Sequence, residues 1–195
     1  MALKEEKRAR ILDAAAELFA TRQFHEVILS DVAEAAAVGK GTLYLYFKDK
    51  NALYSGMILR GYAKLIDKIR AGLTQCTGTP ENKLRFIVRE MLDYACDNPF
   101  ITEILRSSTA AGIHNSEEWL AKKAEFRAIL AGVIRDGVQA GQFRDEHPEL
   151  TANHIASLIR SINIFRPEGL DRDAVIEHAT LFVMNSLTHT GDSHR

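Results

Sequence analysis

The fold of this chain is decided by residues 38–50, which have the sequence VGKGTLYLYFKDK. Turn-forming residues come first, aromatic residues follow, and cations lie at the end. A helix from Lys40 to Phe47 places Leu43 and Phe47 on one face, because residues four apart are neighbours on a helix. The segment therefore predicts a short helix that packs on a preceding helix and leaves polar and aromatic groups free to contact a partner.

The flanking residues predict the other helices that this segment needs. Apolar residues at helical spacing indicate one helix over residues 4–20 and a second over 29–36, followed by a turn at 37–39. Asp49 is a favourable N-cap for a long helix that comes next. Two short helices joined by a turn of three or four residues form a helix-turn-helix unit, whose second helix enters the major groove of DNA. We therefore predict a DNA-binding unit in residues 1–50.

The distribution of charge restricts how such a unit could attract DNA. The chain has 195 residues and a net charge of −1, so no overall basic field attracts a nucleic acid. Within the first 50 residues the cations lie mainly in two groups, at positions 4–10 and 40–50, with mostly acidic residues between them. A basic patch forms only if folding brings these two ends of the unit to one face.

Composition and cysteine content exclude several other classes of protein. An apolar content of 46% is typical of a globular chain. Cys76 and Cys96 are twenty residues apart without a CxxC motif, which argues against a zinc site or a disulfide framework and fits a reducing cytosol. The N-terminus lacks the apolar stretch of a signal peptide, and no apolar run approaches the length of a membrane span. We expect a cytoplasmic protein without a metal, a cofactor or membrane contacts.

The proline positions and the absence of alternating strand patterns predict an all-α fold of about nine helices. Three of the four prolines occupy plausible first helical positions: Pro80, Pro99 and Pro148. Pro167 fits a turn before Asp171, a favourable N-cap for the last helix. The predicted architecture is a three-helix helix-turn-helix domain over residues 1–50 and a larger helical domain over 51–195.

The last predicted helix, over residues 171–187, is apolar nearly all round. Such a helix must be buried on both sides, and a second subunit is the simplest second cover. Together with the helix that starts at Pro148, it predicts half of a four-helix interface with two-fold symmetry. The predicted interface residues are Ile155, Ile159, Ile162, Val175, Ala179 and Phe182. The alternative is that this helix lies in the centre of its own core.

The first 54 residues also carry a longer motif. It comprises Leu18-Phe19, Asp31-Val32-Ala33 and the pattern Val38-x-Lys40-Gly41-Thr42-Leu43-Tyr44-x-Tyr46-Phe47-x-x-Lys50-x-x-Leu53. Through these residues the segment 8–54 resembles the DNA-binding domain of the TetR family of transcriptional regulators. The resemblance implies an all-α homodimer that binds a palindromic operator in double-stranded DNA, usually as a repressor released by a small-molecule effector. The rest of the chain agrees in length and helix count, and the resemblance implies that residues 51–195 form a variable effector-binding and dimerisation domain.

The resemblance also implies roles for the residues of the recognition helix. Groove-facing positions correspond to Lys40, Gly41, Tyr44, Leu45 and Tyr46. Phosphate-binding positions correspond to Thr42, Tyr44, Lys50 and the N-terminus of the helix after Asp49. Lys40 is the best candidate for hydrogen bonds to guanine O6 and N7, and Gly41 lets the helix backbone approach the bases. Lys48 completes the set of DNA-binding candidates, with a solvated lysine as its alternative, and Tyr46 has a half-buried core tyrosine as its alternative.

Four residues depart from the usual pattern of the family. They are Gln23 for the glycine that ends the first helix, Ile28 for the Thr or Ser cap of the second, Ala37 for the glycine of the turn, and Gly39 for the serine that opens the third. A missing Ser or Thr cap costs about 0.5–2 kcal/mol, and a non-glycine residue at positive φ is strained. A glycine displaced from position 37 to 39 is compatible with a turn that differs by one residue from the family norm.

The effector is the least defined part of the prediction. Binding pockets are mostly apolar with a few polar groups, so the apolar candidates are Tyr62, Phe86, Met91, Tyr94, Ile104, Trp119, Phe126 and Phe165. The candidate polar groups are Arg106, His114 and Asn163. The aromatic content favours a hydrophobic or aromatic effector, with ordinary core packing as the alternative for each residue.

Catalytic motifs are absent from the sequence. There is no GxSxG, no HExxH and no Cys/His cluster, and Gly39-Lys40 fails the P-loop pattern because Glu34 and Gly41 stand where glycine and Ser or Thr are required. We therefore expect no enzyme activity. The residues are also compatible with a constitutive or architectural DNA-binding protein without an effector, and with a helical protein–protein module.

Overall fold

The computed structural model of the protein describes residues 2–98, 116–164 and 169–188, of which 2 and 159–164 are described by backbone alone. Within these ranges the chain forms eight α-helices and no strand, which confirms the prediction of an all-α fold. The helices are α1 (Ala2–Thr21), α2 (Leu29–Ala35), α3 (Lys40–Tyr46), α4 (Lys50–Gln75), α5 (Pro80–Asp97), α6 (Glu117–Gln139), α7 (Pro148–Ile164) and α8 (Arg172–Thr188).

Several helices begin at the proline and cap residues that predicted their starts. Helix α5 begins at Pro80 and α7 begins at Pro148, where the missing N–H of proline costs no intrahelical hydrogen bond. Helix α8 begins directly after Asp171, whose carbonyl oxygen accepts the N–H of Val175 at 3.1 Å. The two remaining predictions, a helix start at Pro99 and a turn at Pro167, lie outside the described residues.

The described residues divide into two compact units. The first contains residues 2–64, 98 and 116–119, and the second contains 65–97, 120–164 and 169–188. Helices α4 and α6 therefore contribute residues to both units. The assignment of separate roles to residues 1–50 and 51–195 stays a prediction.

The core of the first unit is formed by apolar side chains from α1 to the first half of α4. Ile11 and Leu12 of α1 are fully buried there, as the stripe along α1 predicts. Leu43 and Phe47 are also buried, which confirms the predicted apolar anchor of α3. Because both anchors point into the core, the opposite side of α3 is left at the surface.

A cluster of charges ties α1 to α4 within the first unit. The Asp13 carboxylate accepts hydrogen bonds from Arg60 at 3.1 and 3.2 Å and from Lys64 at 2.7 Å. Burial alone would raise the pKa of Asp13, but the hydrogen bonds from Arg60 and Lys64 outweigh it and hold that pKa below its usual value. These contacts link α1 to α4 within the first unit.

The turn between α2 and α3 differs from the expectation of a displaced glycine. Ala37 has a φ of +50°, in the left-handed region, whereas Gly39 has a φ of −69° and a ψ of 148°. The N–H of Val38 bonds to the carbonyl oxygen of Ala33 at 2.9 Å and closes the end of α2. The turn therefore places its left-handed residue at 37, and Gly39 is the extended residue that precedes α3. The idea that the glycine at 39 shifts the turn by one residue is wrong.

The core of the second unit lies around α5 and α6. Leu84, Ile87 and Leu92 of α5 and Phe126 and Ile134 of α6 are almost fully buried. Helix α5 packs on both α7 and α8. The apolar face of α5 is therefore buried at the centre of the second unit.

An ion pair cluster and one close approach also organise the second unit. At the start of α8, Arg172 forms ion pairs with Asp93 and Asp97 of α5, each at 2.8 Å. At the end of α6, Gly137 permits a close approach, because a Cβ there would lie 2.0 Å from Cδ2 of Phe143. These contacts fix α8 on α5 and the residues after α6 on that helix.

The two sides of α8 differ in burial. Val175 and Ala179, predicted for a dimer interface, are buried together with Ile155 of α7, because α8 packs on α5 and α7. These three side chains therefore belong to the protomer's own core. Phe182, on another side of α8, is 58% exposed, and its neighbour Leu181 is 44% exposed. Of the predicted interface residues whose side chains are described, Phe182 is thus the one left at the surface.

Two further residues of the predicted interface, Ile159 and Ile162, lie in α7, with side chains outside the described part of the structure. The interface itself stays a prediction. The alternative of a central helix holds for the side of α8 that faces α5 and α7.

Candidate nucleic-acid interface

Helix α3 presents one side to the core and the other to solvent. Each residue turns the helix by about 100°, so Leu45 lies about 200° from the buried Leu43. Leu45 is 84% exposed and Tyr44 is 55% exposed. Lys40 and Gly41, one turn earlier, are also exposed. The surface side of α3 thus combines an amine, a phenol, an apolar side chain and a bare stretch of backbone.

An open hollow of about 290 Å³ lies beside α3 in the first unit. Its lining comes from the start of α2, from α3 and from the start of α4: Val27, Ile28, Leu29, Ser30, Lys40, Leu43, Tyr44 and Lys50. The hollow thus joins three of the predicted DNA-binding residues, Lys40, Tyr44 and Lys50, around an apolar floor. Two amines, a hydroxyl group and a phenol in one hollow are suited to the phosphates and sugars of a nucleic acid.

Ile28 and Ser30 are lining residues that the sequence-based site did not include. Ile28 directly precedes α2 and Ser30 lies in its first turn, and Ile28 has no side-chain hydrogen bond to that helix. Their position next to Lys40 depends on how α2 packs on α3. The signal that could have found them is their place at the predicted start of α2, since the first helix of a helix-turn-helix unit crosses the DNA backbone.

The amine of Lys50 is held over an aromatic ring. Its Nζ atom lies 4.4 Å from the ring centroid of Phe24, which in turn contacts the rings of Phe19 and Tyr54. Burial lowers the pKa of Lys50 below its usual value. A cation over an aromatic face is attracted by the ring quadrupole, so this contact restricts where the amine of Lys50 lies.

Lys48 and Asp49 lie just before α4 and differ from Lys50. The side chain of Lys48 is 84% exposed, with its Nζ atom 3.9 Å from the Asp49 carboxylate. Oδ1 of Asp49 accepts the N–H of Ala52 at 2.7 Å, which confirms the predicted N-cap. The helix end to which the resemblance assigns phosphate binding therefore already carries a carboxylate.

The two remaining candidates of α3, Thr42 and Tyr46, are half-buried. Tyr46 packs against the edge of the first unit's core. Its environment is thus the half-buried one that the sequence left as the alternative to a groove contact.

Folding brings one cation of the N-terminal group to the end of α3. The guanidinium carbon of Arg8 lies 5.7 Å from the ring centroid of Phe47. Two of the intervening carboxylates are engaged elsewhere: Asp13 binds Arg60 and Lys64, and Asp31 binds Arg22 at 2.9 Å. Arg8 of the N-terminal group thus lies next to the last anchor of α3, and the basic patch that would join the two groups of cations stays a prediction.

The effector candidates divide between the two units. Tyr62 and Trp119 contact each other in the first unit, with ring centroids 5.1 Å apart. The candidates in the second unit are Phe86, Met91, Tyr94 and Phe126. Met91 and Phe126 are buried, and burial raises the pKa of Tyr94 above its usual value. The other candidates, Ile104, Arg106, His114, Phe165 and the side chain of Asn163, lie outside the described residues.

Membrane spans and metal-binding clusters are both absent from the described ranges. None of the helices there combines the length and the apolar character that a bilayer span requires. Within the same residues, no group of three or more His, Cys, Asp or Glu side chains is placed to hold a metal ion.

Two family models match the chain and together cover most of it. Residues 11–57 match the model described as "Bacterial regulatory proteins, tetR family", and residues 77–187 match "Tetracyclin repressor-like, C-terminal domain". The first match contains α2, α3 and the hollow. The second contains α5, α6, α7 and nearly all of α8.

Known proteins similar to the chain are transcriptional regulators. The HTH-type transcriptional activator FasR of Mycolicibacterium smegmatis is 27% identical over 95% of this chain and 85% of its own length. The HTH-type transcriptional repressor KstR2 of Rhodococcus jostii is 31% identical over 73% of this chain and 71% of its own length. The fold matches the crystal structure of FadR from Bacillus subtilis in complex with stearoyl-CoA, with a TM-score of 0.73, 21% identity, and coverage of 90% of this chain and 97% of that one. The chain therefore belongs to the TetR family of bacterial DNA-binding transcriptional regulators.

Proposed function

We propose that the protein is a homodimer that binds a palindromic operator through α3 of each subunit and is released by a hydrophobic effector. The observation that carries this proposal is the outward side of α3. Its anchors Leu43 and Phe47 are buried, while Lys40, Tyr44 and Leu45 are exposed on a helix short enough to lie in a major groove. A cytoplasmic location follows from the proposal, because bacterial operators lie there.

Each polar group around α3 has a distinct part in this proposal. Lys40, in the first turn of α3, contacts guanine O6 and N7 and so reads sequence. Tyr44, Lys50 and Ser30 line the hollow and bind the phosphate backbone, which positions the helix without reading bases. Arg8 adds a cation near the other end of α3.

The dimer is supported by the exposed side of α8. Phe182 lines an open cleft of about 400 Å³ that also includes Leu158, Val183 and Leu187. The cleft is lined by both apolar and polar residues, and a large aromatic side chain that is 58% exposed beside it has the character of an interface anchor. Two-fold symmetry would place the two α3 helices one turn of DNA apart, about 34–36 Å, and so select a palindrome.

The effector is proposed to carry a long apolar chain. The support is the likeness of the whole fold to a regulator crystallised with stearoyl-CoA, together with the apolar character of the candidate residues. Such a ligand changes DNA affinity only if it binds the DNA-free form more tightly than the DNA-bound form. At saturating effector, the free energy of DNA binding is weakened by the difference between the effector's binding free energies for the two forms. The same logic applies whether bound protein represses or activates its genes.

The test is a titration of operator DNA measured by fluorescence anisotropy. The operator is first selected from fragments of the source genome with the full-length protein. The expected result is binding much tighter than to random DNA, with log K falling linearly as log salt rises. Equal affinity for operator and random DNA, or no dependence on salt, would contradict the proposal.

The effector is tested in the same assay with stearoyl-CoA, and with coenzyme A lacking an acyl chain as the control. Release by stearoyl-CoA alone supports an apolar-chain effector. Release by neither compound, with operator binding intact, favours the second candidate function, a DNA-binding regulator without such an effector.

A further inference from the structure

We propose that Leu45 reads thymine in the operator by contacting its 5-methyl group, and so determines sequence specificity together with Lys40. This inference rests on the proposed insertion of α3 into the major groove. Leu45 was assigned to the groove by resemblance, and the structure adds what a side chain of this chemistry can recognise there.

The position of Leu45 leaves it no role in the protomer's core. At 84% it has the largest exposed fraction of the large apolar side chains in the described ranges. It lies on the side of α3 opposite to Leu43 and Phe47, the two residues that hold the helix. Its exposure therefore follows from the way α3 is anchored.

The neighbouring residue one turn earlier makes close approach possible. Gly41 and Leu45 are four residues apart and lie on the same side of α3. A Cβ at Gly41 would find no atom within 4 Å, so the bare backbone there is open. The base edges of a DNA groove can thus approach the backbone of α3 at Gly41, and there they contact the side chain of Leu45.

The chemistry of leucine determines what it can distinguish. Its side chain neither donates nor accepts hydrogen bonds, so it cannot read the polar edges of bases. The apolar group that base pairs display in the major groove is the 5-methyl of thymine. Lys40, one residue before Gly41 and rotated from it by about 100°, is suited to the acceptors of guanine. The outward side of α3 thus predicts half-sites that contain a guanine and a thymine at fixed separation.

The test replaces each thymine of the selected operator with deoxyuridine, which removes the methyl group and keeps base pairing. For the unmodified protein, one replacement in a single half-site should weaken binding by about fourfold, the effect expected for one buried methyl-sized group, and replacement in both half-sites by about fifteenfold. For Leu45→Ala the affinity for the thymine operator should fall, and the difference between thymine and uracil at that position should disappear. A double-mutant cycle isolates this pairwise effect.

The control is Leu150→Ala, which removes an exposed leucine from α7 of the second unit and should keep the full difference between thymine and uracil. Circular dichroism and thermal unfolding of Leu45→Ala should match the unmodified protein, since the side chain is at the surface. The inference is overturned if no thymine is sensitive to methyl removal, or if Leu45→Ala keeps the same sensitivity. Failure of the unmodified protein to select any operator would instead contradict the proposed function.

Discussion

Helices α3 and α8 both carry a large apolar residue at the surface, yet they are held in place in different ways. The short α3 has two buried anchors and depends on the turn before it and on α4 behind it. The longer α8 has a continuous buried side that packs on α5 and α7. The comparison teaches that exposure alone does not define a role. Leu45 lies on a helix with polar neighbours suited to DNA, and Phe182 lies beside a cleft of mixed apolar and polar lining suited to another protein surface.

The largest effect is expected from a charge on the exposed side of α8. Phe182→Glu should convert the dimer into monomers, because truncating an aromatic interface anchor alone costs about 2 kcal/mol or more, and a charge adds desolvation. We expect the dimer Kd to rise at least about thirtyfold, measured by light scattering, and operator affinity to fall with it. Leu120→Glu, on an exposed leucine of α6, is the control and should stay dimeric. An unchanged dimer for Phe182→Glu would remove α8 from the interface.

A smaller effect is expected from the lysine held over Phe24. Lys50→Ala should weaken binding to all DNA sequences by about tenfold for each subunit of the dimer, because it removes a charge-assisted contact to phosphate from each. The slope of log K against log salt should also fall by about one for each subunit, about two for the dimer. Lys48→Ala is the matched control, and its effect should be weaker because that amine is exposed and is not held over a ring. A loss confined to particular base sequences would show that Lys50 reads bases.

The turn before α3 gives a still smaller effect, on stability. Ala37→Gly should raise the free energy of unfolding by about 0.5–1 kcal/mol, because glycine adopts the left-handed conformation without strain. Gly39→Ala should change stability little, since its φ is −69° and the new Cβ would lie 3.9 Å from Oγ1 of Thr42. Urea unfolding of both variants and the unmodified protein measures these differences. If Gly39→Ala destabilises the protein and Ala37→Gly does not stabilise it, the left-handed residue of the turn is at 39.

The smallest effect concerns the tie between α1 and α4. Asp13→Asn should lower stability by about 0.2–1 kcal/mol at pH 7, the usual size for an exposed ion pair. Because the pKa of Asp13 is lower in the folded protein than in the unfolded chain, its contribution is present above about pH 4 and is lost as pH falls through the folded value. Urea unfolding at pH 7 and pH 3 should therefore show a difference between the two proteins that shrinks in acid. A constant difference would mean that the Asp13 carboxylate is not the stabilising group.

The sequence predicts those features that depend on neighbours along the chain. The spacing of Leu43 and Phe47, the cap at Asp49 and the helix starts at Pro80 and Pro148 all follow from local rules. These features are enough to establish the helical fold and the outward side of α3.

Features that depend on distant contacts could not be predicted in the same way. The ring beneath Lys50 comes from Phe24, and Arg8 reaches Phe47 because α1 packs across the unit. Periodicity identified Val175 and Ala179 as apolar but could not tell a protomer's own core from a second subunit, since both exclude water. The preference of glycine for left-handed turn positions predicted a shift of the turn to Gly39, but Ala37 adopts the left-handed conformation.

The central claim is that α3 reads base sequence, and it is tested most directly by selecting DNA from a random library with the unmodified protein and with Lys40→Ala in parallel. The account predicts a palindrome for the unmodified protein. It predicts that Lys40→Ala enriches the same palindrome with relaxed preference at one guanine in each half-site, a loss of about 1–3 kcal/mol of discrimination there. No enriched sequence for the unmodified protein, or the same preference at every position for both proteins, would contradict it.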